Sequence, residues 1–258
     1  MASGVAVRLF RCGFPVAMTE LQEPLTVRRT VSFAQAIYSQ QAWVEGIEAR
    51  RAEGYRHTMA IQEGGAIPIV IDPEARLASL YHPSIIVDAT MTKSTPAARI
   101  GDALLVVGLG PGFEAGVHSH FVVETRRGHA LGRLYDKGWT LPMDGIPDGR
   151  GGASVDRVLR APIAGSFRPR VEIGDRVEPG GVIGEVEDEP VIARTAGLVR
   201  GLLWPGVKVP AGEKVGDVDP VAGQESIRSV SDKALAVGGG VLEAILRHFG
   251  PPVLSNGA

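Results

Sequence analysis

Short apolar runs recur through the first half of the chain, and each run ends in a turn or a polar residue. They span residues 15–19, 67–71, 84–88 and 103–108. Strands of a parallel sheet that is covered on both faces show this nearly continuous apolar pattern. We therefore predict an α/β sheet, with ligands at the carboxyl ends of its strands.

Two helices are predicted between these strands. Residues 33–40 follow Ser32, which is a suitable N-cap, and Gln35 would complete a capping box with that serine. Residues 73–81 begin with Pro73, whose fixed φ suits the first turn of a helix. Strands that alternate with helices in this way are typical of a doubly wound sheet.

The second half of the chain differs in its pattern, with more glycine and shorter apolar segments. Glycine-rich residues 145–153 predict a flexible linker, and short β-rich segments follow it. Several of these segments recur 32 residues later: 164–165 at 196–197, 174–177 at 206–209 and 183–186 at 215–218. One repeat of this size cannot bury its own apolar face, so we expect the two halves to pack as a small two-fold β-sandwich.

The last predicted element is a helix that starts after Ser231, a good N-cap that precedes an acidic residue. Leu235, Val241 and Ile245 fall on one apolar stripe of this helix. Residues 238–240 are all glycine, and each would cost about 1 kcal/mol relative to alanine. We expect close packing to offset that cost.

Composition and charge limit the kinds of partner. The net charge is −2 and there is no polybasic run, so neither nucleic acid nor an anionic membrane is expected. The single cysteine, Cys12, excludes an intramolecular disulfide and suits a reducing compartment. No apolar run reaches the length of a membrane span, and the N-terminus lacks a signal-peptide pattern. We therefore predict a cytoplasmic protein.

A glycine-rich loop, residues 108–116, follows one of the predicted strands. Gly108, Gly110 and Gly112 would let the backbone approach an anion and turn its N–H groups toward it. A tight turn that needs positive φ would use the same glycines, and both interpretations stay open.

Two acidic residues also follow predicted strands. Glu20 lies where dinucleotide-binding sheets hold ribose hydroxyls, and Asp88 lies where ligand-binding carboxylates often sit. The alternatives are a solvated loop acid for Glu20 and a turn cap for Asp88, and spacing alone favours these alternatives.

The arginine pairs 28–29 and 126–127 could bind oxyanions bidentately, although such pairs more often lie on solvated surface. His118 and His120 could share a metal ion with Glu124, but the spacing matches no standard zinc pattern, and we predict no metal site. Cys12 could carry sulfur or selenium if its thiolate were stabilised, whereas a lone cysteine is more often inert.

The chain contains no Walker loop, nucleophile elbow, CxxC or HExxH motif. This favours binding or assisting over a self-contained reaction and leaves enzymatic activity open.

Five segments together resemble one family: 16–20, 28–33, 108–116, 123–129 and 231–243. They are similar to selenium-dependent molybdenum-hydroxylase system proteins, which are also described as selenium-dependent molybdenum cofactor biosynthesis proteins, over nearly the whole chain. The resemblance implies a role in the maturation of molybdenum hydroxylases. It also implies an N-terminal half like the nucleotide-binding part of xanthine dehydrogenase accessory proteins. Members usually begin with a strand and a Gly-Ala-Gly-Asp turn before the helix that begins here at about Ala2, so we expect that strand and turn to be missing.

Residues 160–219 also resemble a biotinyl/lipoyl-type barrel-sandwich hybrid. Carrier domains of that type modify a lysine at the tip of the central hairpin, whereas the tip here, residues 187–190, reads Glu-Asp-Glu-Pro. We therefore expect a non-carrier module that docks a partner or guards a pocket.

The combined prediction is an α/β protein with a Rossmann-like parallel-sheet domain over 1–150, a two-fold β-repeat module over 156–220 and a C-terminal helix over 226–249. The predicted function is an accessory maturation factor for selenium-dependent molybdenum hydroxylases. It would bind a nucleotide or a molybdenum-cofactor-type anion through six residues: Gly108, Gly110, Gly112, Glu20, Asp88 and Arg126. A nucleotide-dependent oxidoreductase, a sulfur or selenium transferase and a non-catalytic scaffold are the alternatives. The expected partners are the client hydroxylase and a small anionic ligand, and a homo-oligomer is compatible with the sequence.

Overall fold

A computed structural model describes residues 1–91, 96, 98–142 and 156–250. The predicted linker, 145–153, lies outside the described residues. The helices are α1 (Ala2–Arg11), α2 (Gln35–Ser39), α3 (Gly54–Glu63), α4 (Ala78–Tyr81) and α5 (Asp232–Phe249), with 3₁₀ turns at Arg29–Val31 and Gln224–Ile227. The strands are β1 (Met18–Glu20), β2 (Gln41–Val44), β3 (Ile47–Ala52), β4 (Ile67–Ile71), β5 (Ile85–Asp88), β6 (Leu105–Leu109), β7 (Glu114–Ala115), β8 (Phe121–Val123), β9 (Leu134–Tyr135), β10 (Gly138–Trp139), β11 (Val158–Arg160), β12 (Gly165–Pro169), β13 (Arg176–Val177), β14 (Val182–Val186), β15 (Glu189–Ile192), β16 (Gly197–Leu202), β17 (Lys208–Val209) and β18 (Lys214–Asp219). The predicted mixture of helices and parallel strands, with a helix at the C-terminal end of the described residues, is confirmed.

Each of the two compact units is built from separate stretches of the chain. The first unit comprises the described parts of Met1–Pro15, Arg76–Asp144 and Ser231–Ala258. The second unit comprises the described parts of Val16–Ala75 and Gly145–Val230. Among the described residues, no helix combines the length and apolar character that a membrane span needs.

A four-stranded sheet with the order β5-β6-β8-β9 forms the centre of the first unit. Strands β5, β6 and β8 are parallel, with Asp88 opposite Gly108 and Leu109 opposite Val123, and β9 is antiparallel to β8. Every residue of β6 is buried, as expected for a strand covered on both faces. Helix α5 packs against α1 and against strands β6, β8 and β9.

The second unit contains a sheet with the order β1-β4-β3-β2, in which β1, β4 and β3 are parallel and β2 is antiparallel to β3. It also contains two further four-stranded sheets with the orders β11-β18-β16-β13 and β15-β14-β12-β17. Strands of the two sheets that occupy the same position, such as β16 and β12, are related by the 32-residue repeat. Phe167, Ile183, Val199 and Val215 come from both sheets and share one core.

Two predicted helices are shorter than expected. The segment after Ser32 becomes helical only at Gln35, and Ala34, the N-cap, has no side-chain cap hydrogen bond. The capping box was therefore wrong, because the Gln35 side chain interacts with Arg29 and Ser39 instead. The segment 73–81 is helical only in α4, since Ala75 has a φ of +53°, which interrupts a right-handed helix.

Candidate functional site

The loops after three neighbouring parallel strands meet at the carboxyl edge of the first unit's sheet. A Cβ atom at Gly110, after β6, would lie 2.9 Å from the Thr125 hydroxyl oxygen, after β8. The same Cβ atom would lie 3.6 Å from the Met91 methyl carbon, after β5. This edge is where open α/β sheets hold their ligands.

Asp88 ends β5 and is buried. Its Oδ1 accepts hydrogen bonds from the Thr90 N–H at 3.0 Å and from the Thr90 hydroxyl at 2.6 Å. Asp88 therefore caps the turn that leads away from the sheet, which agrees with the alternative interpretation of this residue.

The glycines of the 108–116 loop have local structural reasons of their own. A Cβ atom at Gly108 would lie 2.3 Å from Cγ of the fully buried Phe113, so this glycine makes room for the ring. Gly110 has a φ of +86°, and its N–H donates to the Val123 carbonyl at 3.0 Å. Gly112 lies in the turn between Gly110 and Phe113. The tight-turn interpretation thus has direct geometric support at Gly108 and Gly110.

Glu124 is a fully buried carboxylate at the end of β8. Its Oε1 accepts from the Arg126 N–H at 2.6 Å, and its Oε2 accepts from the Leu141 N–H at 2.8 Å. Both carboxyl oxygens therefore accept hydrogen bonds from the backbone, and this arrangement gives Glu124 a structural role. Arg126 itself is exposed at the same edge of the sheet, whereas the neighbouring Arg127 donates two hydrogen bonds, of 2.7 and 2.9 Å, to Asp232 in the first turn of α5.

The two histidines do not lie on a strand, which was the arrangement that would have pointed both imidazoles to one face. The Nδ1 atom of His118 accepts from the Glu114 N–H, and that of His120 accepts from the Val106 N–H, both at 3.0 Å. Across the residues that the structure describes, no three His, Cys, Asp or Glu side chains come together as metal ligands. Cys12 is exposed and follows the last residue of α1.

Glu20 lies in the second unit, at the carboxyl end of β1. Its burial raises the pKa of this carboxyl above the ordinary value, although Oε1 accepts a hydrogen bond from the Leu21 N–H at 2.8 Å. Burial, together with the negative charges of Glu23 and Glu20, raises the pKa of Tyr38 to about 12.

The adjacent arginines of the pair 28–29 have separate environments. The Arg29 guanidinium lies 5.4 Å from the centre of the Trp204 ring, and its Nε donates to the Leu202 carbonyl at 2.8 Å. Trp204 in turn stacks on Tyr38, with ring centres 5.1 Å apart. A cation above an aromatic face is a stabilising arrangement, and it accounts for Arg29 without a ligand.

Arg28 joins a buried group of charges that sequence reasoning missed. Its Nη2 donates to the Ser226 carbonyl at 2.6 Å, and the charges of Arg200 and Asp217 act on it. The repeat held a signal for this group, since Arg168 pairs with Glu185 in the first repeat at 3.1 Å. Arg200 and Asp217 are the same pair 32 residues later, with side chains 13% and 1% exposed where those of the first pair are 53% and 18% exposed.

Comparison with protein-family models gives no match. The chain is 43% identical over 246 residues to the uncharacterized protein YqeB of Escherichia coli K12. The matched residues cover 95% of this chain and 46% of YqeB. The chain therefore spans about half the length of the curated relative it matches.

Likeness to solved structures is slight. An aspartoacylase family protein from Mesorhizobium loti is 25% identical over 26% of this chain and 24% of its own, with a TM-score of 0.24. A product-bound ectoine utilization protein from Ruegeria pomeroyi is 16% identical over 78% of this chain and 52% of its own, with a TM-score of 0.22. At these TM-scores neither structure informs on the function of this chain.

Proposed function

We propose that this chain is an accessory factor in the maturation of selenium-dependent molybdenum hydroxylases and that it holds a nucleotide or a molybdenum-cofactor-type anion. The pathway rests on the resemblance of segments such as 108–116 and 231–243 to that family. Binding rests on one structural observation, the meeting of three loops at Gly110, Thr125 and Met91 at the carboxyl edge of parallel strands. In open α/β sheets this edge is the usual ligand site.

We further infer that the parallel sheet of the first unit is Rossmann-like and that the β-repeat module is a barrel-sandwich hybrid. The module's support is the identical strand order of its two sheets under the 32-residue repeat. Its central hairpin joins β14 and β15 through Glu187 and Asp188, so a carrier lysine has no counterpart at the tip. A docking role toward the client hydroxylase is therefore proposed for this module.

Residue roles at the proposed anion site follow from burial. Arg126 is exposed and supplies positive charge at the edge where the ligand would sit. Thr125 is buried, and its hydroxyl oxygen would lie only 2.9 Å from a Cβ atom at Gly110, so glycine there lets the two loops approach closely. Asp88 shapes the neighbouring turn through Thr90, which makes it a positioning residue.

Calorimetric titration with ADP, with NAD and with molybdenum cofactor tests the proposal. We expect one of these anions to bind, and we expect Arg126→Gln to weaken binding by about tenfold, the effect of losing one charged hydrogen bond. The matched control is Arg56→Gln, which removes an exposed arginine of the second unit. Equal affinity in the Arg126 variant and the control would remove this site from the proposal.

A second experiment addresses the client. A molybdenum hydroxylase matured in cells that contain the Arg126→Gln variant should be less active than one matured beside the Arg56→Gln control. Full client activity without any ligand binding would favour the scaffold alternative. Turnover of a bound nucleotide, or loss of activity in Cys12→Ser, would favour the oxidoreductase or the transferase, respectively.

A further inference from the structure

A group of charged side chains that are buried or partly buried lies within the second unit and carries more positive than negative groups. Its four basic members surround two carboxylates: Arg28, Arg157, Arg200 and Lys214 around Asp217 and Asp219. We call this group the arginine cluster. The side chains of Asp217 and Asp219 are 1% and 2% exposed, and those of Arg157 and Arg200 are 11% and 13% exposed.

Arg200 makes the shortest contacts with both carboxylates. Its Nε donates to Asp217 at 2.8 Å, and its Nη1 lies 2.8 Å from Asp219. Arg157 makes a longer contact, with Nε 3.4 Å from the other oxygen of Asp217. The Arg28 side chain donates instead to a backbone carbonyl, that of Ser226.

The pKa shifts agree with an unbalanced positive charge. Burial, reinforced by the positive charge of Arg200, lowers the pKa of Arg28 to about 10. Burial also lowers the pKa of Lys214, and the nearby arginines add to this effect against the attraction of Asp217. Burying charge is costly unless it is paired, so two cations in excess of two carboxylates call for further negative charge.

Unsatisfied hydrogen-bonding groups also indicate that the arginine cluster needs a further acceptor. Within the described part of the chain, three buried groups in the arginine cluster and beside it have no hydrogen-bond partner: Arg28 Nε, Arg157 Nη1 and the Ser226 hydroxyl. The Arg28–Ser226 hydrogen bond keeps two of these three groups adjacent. Buried donors are normally satisfied in folded proteins, so an acceptor is expected beside them. Water could accept hydrogen bonds but would leave the excess positive charge in place.

We propose that the arginine cluster binds a phosphate-like oxyanion, either a free inorganic anion or the phosphate group of a larger ligand. Guanidinium groups match the oxygens of such anions in geometry and charge. The first repeat provides an internal comparison. There the equivalent Arg168–Glu185 pair is 53% and 18% exposed, so solvent can satisfy groups that burial leaves unmatched in the second repeat. The site consists of second-unit residues alone and is independent of the proposed site at Gly110.

The first test is thermal unfolding of the whole chain with inorganic phosphate, compared with sodium chloride at the same ionic strength. We expect phosphate to raise Tm and chloride to have little effect. Binding of AMP without binding of phosphate would identify the anion as part of a larger ligand. Absence of an effect from both phosphate and AMP would overturn the proposal.

Variants then locate the site. Arg28→Gln and Arg157→Gln should each weaken phosphate binding by about tenfold in calorimetry. Lys214→Gln should weaken binding while leaving stability unchanged or higher, because burial and the surrounding arginines together disfavour the charge of Lys214 more than Asp217 favours it. This third variant keeps the test decisive if the arginine variants do not fold. Arg176→Gln is the control, since Arg176 is an exposed arginine of the same unit. Wild-type affinity in Lys214→Gln and in the folded arginine variants would contradict the proposal.

Discussion

Gly240 of helix α5 lies directly against Gly132. A Cβ atom at Gly240 would lie 2.4 Å from the Gly132 carbonyl oxygen and 2.7 Å from a methyl carbon of Val123. At Gly239 the nearest atom to an added Cβ would be Arg8 Nη1, 3.9 Å away. The predicted close packing of the triple glycine is therefore present at Gly240 and also at Gly238, where an added Cβ atom would lie 3.2 Å from the Gly4 carbonyl oxygen, and it is absent at Gly239.

This difference predicts opposite effects for two alanine substitutions. Gly240→Ala should lower the free energy of unfolding by about 1–3 kcal/mol, because the added methyl group meets backbone that cannot move cheaply. Gly239→Ala should raise it by up to about 1 kcal/mol, because alanine is the better helix former. Urea unfolding of both variants checks the pair, and similar changes in both would show that the contact at Gly132 is unimportant.

Gly108→Ala tests whether the glycine loop is needed for packing. We expect the free energy of unfolding to fall by about 1–3 kcal/mol, because the new methyl group would overlap the Phe113 ring in a filled core. The control is Gly101→Ala, where an added Cβ atom meets nothing within 4 Å. If the stability of Gly108→Ala equalled that of the control, a ligand-binding role for Gly108 would be favoured over a packing role.

Glu124→Gln tests the structural role of the buried carboxylate. Glutamine would place an NH₂ donor where one carboxylate oxygen now accepts from a backbone N–H. Two donors would then face each other without an acceptor, which should lower the free energy of unfolding by about 1–3 kcal/mol. Chemical denaturation measures this cost, with exposed Glu63→Gln as the control. Stabilisation of the wild type by added metal ions that is absent in the variant would instead support the metal interpretation.

Glu20 should make stability depend on pH. Its folded pKa is raised above 4.5 by burial, so the folded state binds the proton more tightly than the unfolded state does. Its contribution is therefore most favourable at low pH and is lost as the pH rises from 4.5 through the folded pKa. Glu20→Gln should remove this loss, because glutamine stays neutral.

The measurement is the unfolding free energy of wild type and Glu20→Gln across that pH window. Glu178→Gln, at an exposed position of the same unit, should keep the wild-type pH dependence. If the unfolding free energy changed with pH by the same amount in the wild type and in both variants, a raised pKa at Glu20 would be contradicted.

Local sequence patterns predicted the elements that depend on neighbouring residues. Strand β4 was predicted at its observed bounds, 67–71, because its apolar run is bounded by polar and turn residues. The Ser231 cap of α5 was also correct, since its hydroxyl accepts the Ala234 N–H at 3.2 Å. The helix at 73–81 was wrong over its first half, because propensity carried no sign of the positive φ at Ala75.

The sequence by itself determined the 32-residue repeat, the apolar strands and the C-terminal helix, because each is written in residues close together along the chain. The tertiary structure decided that residues 16–75 group with the repeat module and that α5 groups with the sheet of β5, β6 and β8. It also decided the arginine cluster, in which Arg28 meets Asp217 across most of the chain. Burial and unsatisfied hydrogen bonds arise only when distant segments exclude water together, and no local pattern records that exclusion.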